Sequence, residues 1–114
     1  MSGPSILASL DLTAMREHAC EATRLLKALA NDRRLMVLCL LSEGERSVGD
    51  LNEQLAISQS ALSQHLAVLR DDGLVSTRRE AQTIYYALTE GPAQRIIATL
   101  HDIYCGVEDP RRKR

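Results

Sequence analysis

Three cysteines are the side chains of this sequence best suited to covalent or redox chemistry, and they are Cys20, Cys39 and Cys105. They are too few and too scattered for the disulfide framework of a secreted domain, and the sequence contains no CxxC motif. We therefore expect three reduced thiols, each of which reacts with sulfur species, oxidants or metals through its thiolate.

The surroundings of two of these cysteines argue against high reactivity. Cys39 lies among Met36, Val37, Leu38 and Leu40, which is typical of a small core residue. Cys105 lies near the end of a predicted helix, where the helix dipole disfavours a thiolate, although a protonated His101 one turn earlier would favour it. Local charge therefore predicts reactivity for neither thiol.

Cys20 has the opposite environment, because Arg16 and Arg24 lie one helical turn to either side and favour its thiolate. It is a candidate to react first. The alternative is a passive position near a dimer interface.

Metal ligands and catalytic motifs are sparse. The last predicted helix offers His101 and Asp102, too few for the four ligands of a tetrahedral zinc site, so we expect no metal and no cofactor. A non-standard set of Cys20, Cys39 and His101 is the alternative for a metal-responsive protein. The sequence has no Ser/His/Asp arrangement and no Gly-rich phosphate loop, and we predict that it is not an enzyme. A thiol enzyme or a protein interaction module is the rival from another class.

A second group of side chains is suited to reading DNA. In a predicted helix whose buried stripe is Leu62, Leu66 and Leu69, the other face carries amides and hydroxyls instead of salt-bridging charges. Short polar side chains allow a helix to enter the major groove and reach the base edges. The candidate contacts are Ser58, Gln59, Ser60, Ser63, Gln64 and His65. An ordinary polar surface is the alternative.

Composition bounds these interpretations. A chain of 114 residues with 45% hydrophobic and 25% charged residues indicates one domain over 1–114, with a core of about 12–107 and flexible tails at 1–10 and 108–114. The net charge of -1 gives no support to DNA binding, and the basic run Arg111–Arg114 is typical of a solvated tail. The longest apolar run, Leu35–Leu41, is too short to cross a bilayer, so we expect a cytoplasmic protein.

Five helices and one hairpin must position these residues. Helical periodicity runs from Leu12 to about Ala30, and a nearly all-apolar helix then ends at Ser42. Ser47 to Asp50 resembles a capping box before a helix of two turns, and Ser58 can cap the helix after it. Two short helices joined by a tight turn form a candidate helix-turn-helix.

The β-prone runs Leu74–Arg79 and Thr83–Leu88 then predict a hairpin. Directly after a helix-turn-helix it becomes a wing, whose Arg78, Arg79 and Gln82 can lie along the DNA backbone or minor groove. A surface hairpin with ordinary charges is the alternative.

The last helix begins near Pro92 and repeats Ile96, Leu100, Ile103 and Val107 at helical spacing. The first and last helices carry more apolar surface than one small domain needs. We therefore expect a homodimer through these two helices.

Three segments together resemble the ArsR/SmtB family of winged-helix repressors: Ala28–Leu35, Leu55–Leu66 and Leu69–Val75. The likeness extends over about residues 20–107. It implies a mainly α fold with a β-hairpin wing, and a cytoplasmic homodimer that binds double-stranded DNA at an inverted-repeat operator. The usual cysteine-bearing metal motif of the family is replaced here by Ser47–Leu51, without a thiol.

The positions of Cys39 and Cys105 resemble the thiol- and persulfide-sensing subgroup of that family, the BigR-, SqrR- and HlyU-like regulators. The resemblance implies a repressor that leaves its operator when reactive sulfur species or oxidants link these two cysteines. A direct disulfide requires Cα atoms within about 7 Å, and a polysulfur bridge tolerates a wider gap. A transcriptional antisilencer acting at similar sites is the alternative.

Overall fold

The computed structural model describes residues 11–106, which form a mainly helical fold with a small antiparallel sheet. In chain order the elements are α1 (Leu12–Leu29), α2 (Asp32–Ser42), β1 (Arg46–Ser47), α3 (Val48–Leu55), α4 (Gln59–Asp71), β2 (Val75–Glu80), β3 (Thr83–Leu88) and α5 (Pro92–Cys105). The five predicted helices and the hairpin are confirmed. Strand β1 was not predicted. The predicted tails, and with them Val107 and Arg111–Arg114, lie outside the described residues.

Side-chain caps explain where the helices begin. Asp11, Asn31, Ser47 and Ser58 each accept a hydrogen bond from a backbone N–H in the first turn of the helix that follows. The capping box predicted at Ser47 forms on the serine side, because Ser47 Oγ accepts from the Asp50 N–H at 3.1 Å. The Asp50 carboxylate instead accepts from Arg46 Nη1 at 2.8 Å.

The turn between α3 and α4 is fixed by Ala56, which adopts a left-handed conformation with φ +53°. The Asn52 side-chain amide donates to the Ile57 carbonyl at 2.8 Å, and Ile57 is buried beneath the turn. These contacts set the direction in which α4 leaves, so they orient its polar face.

The core is built around α2, as the all-apolar segment predicted. Val37, Leu38 and Leu41 are buried, and α4 covers them with the predicted stripe of Leu62, Leu66 and Leu69. From α1 and α5 the core takes few residues, namely Ala28, Leu29, Ala93 and Ile97. Most of the apolar surface of the first and last helices therefore remains outside the core of this protomer.

The sheet has the strand order β1-β3-β2. Its register places Arg78 opposite Tyr85 and Arg79 opposite Ile84, while Ser47 of β1 lies on the other side of Tyr85. A two-residue turn connects β2 to β3, and its first residue, Ala81, has φ +58°. Because side chains alternate between the faces of a strand, Arg78 and Arg79 lie on opposite faces of the sheet.

Candidate functional site

The polar face of α4 is open to solvent. Gln59, Ser60, Ser63 and Gln64 are exposed, and His65 is half-buried at the edge of this face. Ser58 caps the helix: its Oγ accepts a hydrogen bond from the Ala61 N–H at 3.1 Å and lies 3.3 Å from Ser60 Oγ. The helix therefore presents amides and hydroxyls, and no ion pair among residues 11–106 lies on this face.

An open groove runs beside this face. Its walls are the start of α3, the start of α4 and the tip of the hairpin, with lining residues Ser47, Val48, Gly49, Asn52, Ile57, Ser58, Gln59, Gln82, Thr83 and Ile84. Of the predicted site residues, the groove brings together Ser58 and Gln59 with Gln82 of the wing. Gln82 follows Ser58 and Gln59 by more than 20 residues in the sequence. The packing of the hairpin beside the helix-turn-helix brings them together.

Arg78 is held by neighbouring side chains. Its Nε and Nη2 donate to the two carboxylate oxygens of Glu45, each at 2.8 Å, and its Nη1 donates to Glu80 at 3.1 Å. The guanidinium also lies 4.5 Å from the centre of the Tyr85 ring. These hydrogen bonds hold the pKa of Glu45 below its usual range and raise the pKa of Arg78.

Arg79 is exposed, as Arg78 is, but it makes no ion pair with any residue of 11–106. It shares a sheet face with its cross-strand neighbour Ile84, which lines the groove beside α4. Arg78 and Arg79 were predicted together as wing contacts, yet they differ in both partners and orientation.

The thiols of Cys39 and Cys105 are on helices that pack against each other, α2 and α5. Cys39 is half-buried against the core, and Cys105 is exposed at the last position of α5. Burial raises the pKa of the Cys39 thiol, and the negative charges of an ionised Cys105 and of Glu43 raise it further. The fold thus places Cys39 within range of the charge of an ionised Cys105, and both are free thiols.

Cys20 lies elsewhere, exposed on α1 in a shallow depression that also contains Arg24, Lys27 and Arg34. The charge that was expected to favour its thiolate is partly engaged, because Arg24 Nε donates to Asp72 at 2.6 Å. Within residues 11–106, no three His, Cys, Asp or Glu side chains are grouped closely enough to hold a metal ion, so Cys20, Cys39 and His101 are not gathered into a site. No helix in this part of the chain is long and apolar enough to cross a membrane.

Two residues that position the site, Glu45 and Arg46, were missed by sequence reasoning. Arg46 donates to the Leu40 carbonyl at 3.1 Å and, at 2.8 Å each, to Glu43 and Asp50. The spacing of these charges, three and four residues apart, is a signal that could have identified Arg46. No such signal links Glu45 to Arg78, because their contact is purely tertiary.

Known proteins place this architecture in a family. Residues 31–77, from α2 to the start of β2, match the model of bacterial regulatory proteins of the arsR family. Over 98 residues, 86% of this chain and 91% of the relative, the chain is 52% identical to the transcriptional activator HlyU of Vibrio cholerae. It is 47% identical over 106 residues, 93% of this chain and 91% of the relative, to the biofilm growth-associated repressor of Agrobacterium fabrum.

A solved structure agrees in fold. Reduced HlyU from Vibrio cholerae superposes with a TM-score of 0.78 and 53% identity, covering 81% of this chain and 97% of that one. The helix-turn-helix with its hairpin is therefore a winged helix, and the candidate DNA-reading face is the exposed face of its second helix. The chain belongs to the ArsR family of bacterial DNA-binding transcriptional regulators, which are not enzymes.

Proposed function

We propose that this protein is a homodimeric repressor that binds an inverted-repeat operator and releases it when reactive sulfur species or oxidants link Cys39 to Cys105. The observation that carries the thiol half of the proposal is that Cys39 and Cys105, both free thiols, lie on the helices α2 and α5, which pack against each other. The DNA half rests on membership of the family and on the exposed polar face of α4.

Dimerisation is supported by the apolar surface that the protomer leaves uncovered. Among residues 11–106, the large hydrophobic residues that remain exposed are, with the exception of Met36 and Val68, on α1 or α5: Leu12, Met15, Leu26, Ile103 and Tyr104. Exposure reaches 69% for Leu12 and 79% for Tyr104. Burial of these faces by a second copy would stabilise the dimer by roughly 25 cal/mol for each Å² of apolar surface, and a symmetric pair of protomers presents two α4 helices to two half-sites.

In the proposed complex α4 lies in the major groove. Gln59 and Gln64 can each form two hydrogen bonds with the edge of an adenine. The side chains of Ser60, Ser63 and His65 can donate hydrogen bonds to neighbouring base edges or accept them. Ser58 orders the first turn, whose free N–H groups point towards a phosphate. The wing, which carries Arg78 and Arg79, follows the DNA backbone beside α4 with Gln82 at its tip.

The proposed chemistry begins at Cys105. It is exposed, whereas the raised pKa of Cys39 keeps that thiol protonated and weakly nucleophilic near neutral pH. With an organic trisulfide RS–S–SR as the oxidant, the Cys105 thiolate attacks the central sulfur and expels RS⁻. The product is the mixed trisulfide Cys105–S–S–SR, in which the first sulfur is Cys105 Sγ.

The second step closes the bridge. Burial still raises the pKa of Cys39 at this stage, but a covalently bound Cys105 can no longer add its negative charge to that effect, so the Cys39 thiolate forms more readily than beside an ionised Cys105. It attacks the sulfur bonded to Cys105 Sγ, forms Cys39–S–S–S–Cys105 and expels the second RS⁻. Two thiolates and one trisulfide thus give one bridged protein and two RS⁻, and cellular thiols reverse both steps.

The bridge would act on DNA binding through α5. This helix carries part of the proposed dimer interface, while α2 packs against both helices of the helix-turn-helix. Joining them covalently changes how the two α4 helices of a dimer are spaced, so one dimer no longer fits both half-sites. A coupling of about 1 to 3 kcal/mol, the usual range for allosteric proteins, changes operator affinity roughly 5- to 150-fold.

The test is mass spectrometry of the reduced protein before and after treatment with glutathione trisulfide, diamide or hydrogen peroxide, followed by operator binding of each product. The expected product is a Cys39–Cys105 crosslink that carries extra sulfur and has lost operator affinity. Cys39→Ser and Cys105→Ser should each abolish the response, whereas Cys20→Ser should keep it. A crosslink that leaves operator binding unchanged would contradict the proposal.

Activation is a second candidate function, since one relative is a transcriptional activator and another, at similar identity, is a repressor. An antisilencer would bind the same kind of site but raise expression by displacing another protein. A reporter fused to the bound promoter separates the two: deletion of the gene raises reporter expression if the protein represses and lowers it if the protein activates.

A further inference from the structure

We propose that the two adjacent wing arginines have different roles: Arg78 positions the wing by binding Glu45, and Arg79 is the wing cation that contacts a DNA phosphate. This inference rests on the proposed DNA binding and sharpens it. Arg78 would then affect DNA affinity only through the position of the wing, so it is a positioning residue.

The contacts of Arg78 extend across the whole sheet. From β2 its guanidinium passes over the ring of Tyr85 on β3, at 4.5 Å, and reaches Glu45 immediately before β1. Both carboxylate oxygens of Glu45 accept from it at 2.8 Å. This geometry, two parallel hydrogen bonds between a planar guanidinium and a carboxylate, fixes orientation as well as distance. The hairpin is thereby fastened to the loop that follows α2.

The charge around Arg78 also argues against a phosphate contact. Its three nitrogens all donate to carboxylates, Nε and Nη2 to Glu45 and Nη1 to Glu80 at 3.1 Å. Two negative charges therefore surround one positive charge and take three of its five N–H donors, so a phosphate could pair fully with Arg78 only by displacing a carboxylate. Losing the hydrogen bonds to Glu45 would offset much of the favourable energy of binding the phosphate.

Arg79 makes none of these contacts with Glu45 or Glu80. It is exposed, it makes no ion pair with residues 11–106, and it lies on the sheet face opposite to Arg78. Its cross-strand neighbour Ile84 lines the groove shared by Gln82 of the wing and Ser58 of α4. A positive charge on this face is available to a DNA backbone that runs beside α4.

The salt dependence of DNA binding distinguishes a phosphate contact from a positioning effect. Each phosphate neutralised in B-DNA contributes about 0.9 to the slope of log K against log salt concentration, whereas a shift in wing position need not change that slope. We would measure this slope for the full-length wild-type protein, Arg78→Gln, Arg79→Gln, Glu45→Gln and the double variant Glu45→Gln/Arg78→Gln. The probes are a duplex selected by the wild-type protein from a random library and an unselected duplex of equal length.

Arg79→Gln should weaken binding to both duplexes about tenfold per protomer at moderate salt. It should also make the slope of log K against log salt concentration less steep by about 0.9 per protomer. Glu45→Gln is the decisive variant, because it removes a negative charge beside Arg78 and would raise affinity if Arg78 were a phosphate contact held back by Glu45. We expect it instead to lower affinity for the selected duplex several-fold with an unchanged slope. The double variant should bind no worse than either single variant, since both remove the same contact.

A higher affinity and a steeper slope for Glu45→Gln, or an unchanged slope for Arg79→Gln, would overturn the inference. Failure of the proposed function has a different signature. If no sequence is enriched from the library, operator recognition is refuted, while the effect of Arg79→Gln on the unselected duplex still reports on the wing. Circular dichroism and melting curves of each variant exclude misfolding as the cause of a change.

Discussion

Arg46 joins the end of α2 to the first turn of α3, with its Nη1 donating to the Asp50 carboxylate at 2.8 Å. The same guanidinium donates to the carbonyl of Leu40 and to Glu43, and the two carboxylates raise the pKa of Arg46. Strand β1 begins at this residue, so one side chain links the helix that carries Cys39, the first helix of the helix-turn-helix and the edge of the sheet.

Replacing Arg46 with glutamine should therefore lower stability. The variant loses two ion pairs and leaves the Leu40 carbonyl without this donor, so we expect the melting temperature to fall by a few degrees. Arg33→Gln is the matched control, because Arg33 is exposed on α2 and makes no ion pair with residues 11–106. Equal melting temperatures for the two variants would show that the Arg46 contacts contribute nothing measurable.

A polar substitution on α1 should weaken the dimer without unfolding the protomer. Leu26 is 58% exposed, so Leu26→Gln removes little from the core, but in the proposed dimer its burial is worth about 1.5 kcal/mol per copy. We expect the dimer dissociation constant, measured by sedimentation equilibrium, to rise tenfold or more. Met36→Gln is the control, because Met36 is 49% exposed but lies on α2. A wild-type protein that sediments as a monomer at micromolar concentration would contradict the dimer itself.

The reactivity of Cys39 should depend on Cys105. Since the thiolate is the reacting form and the pKa of Cys39 is raised, its alkylation should be slow near neutral pH and accelerate as the pH rises through that raised pKa. Cys105→Ser removes one cause of the shift, so the pH profile for alkylation of Cys39 should move to lower pH. Peptide mapping after timed iodoacetamide labelling measures this profile.

Cys20→Ser is the control for that experiment and should leave the profile of Cys39 in place. A profile that Cys105→Ser does not move would indicate that the two thiols are too far apart to interact. The raised pKa has a further consequence: folding is favoured while Cys39 is protonated, and this contribution is lost as the pH rises above the usual thiol range.

Ser58 allows the stability and the DNA contacts of α4 to be separated. Ser58→Ala removes the oxygen that accepts from the Ala61 N–H and should cost about 1 kcal/mol of stability. Ser58→Asp keeps a capping oxygen but adds a negative charge at the groove, so it should melt close to the wild-type temperature and yet bind DNA at least tenfold more weakly. Wild-type DNA affinity in Ser58→Asp would remove the start of α4 from the interface.

Local features of the sequence determined the helices and the hairpin. The spacing of Leu62, Leu66 and Leu69 defined the buried side of α4, and therefore also its polar face, because a helix repeats every 3.6 residues. Ser58 and Pro92 marked helix starts since their chemistry suits the first turn of any helix. Such signals depend on neighbours within about four residues, which is why a single sequence contains them.

Tertiary structure alone decided the contacts between distant segments. Strand β1 has two residues, too few to show a periodic pattern, and it exists because β3 offers it an edge. Arg78 and Arg79 are chemically identical in the sequence. Only the register of the sheet and the position of Glu45 distinguish the ion-paired Arg78 from Arg79, which makes no ion pair within residues 11–106. Likewise, the effect of Cys105 on the pKa of Cys39 arises because α5 packs against α2, and no local pattern in the sequence encodes that packing.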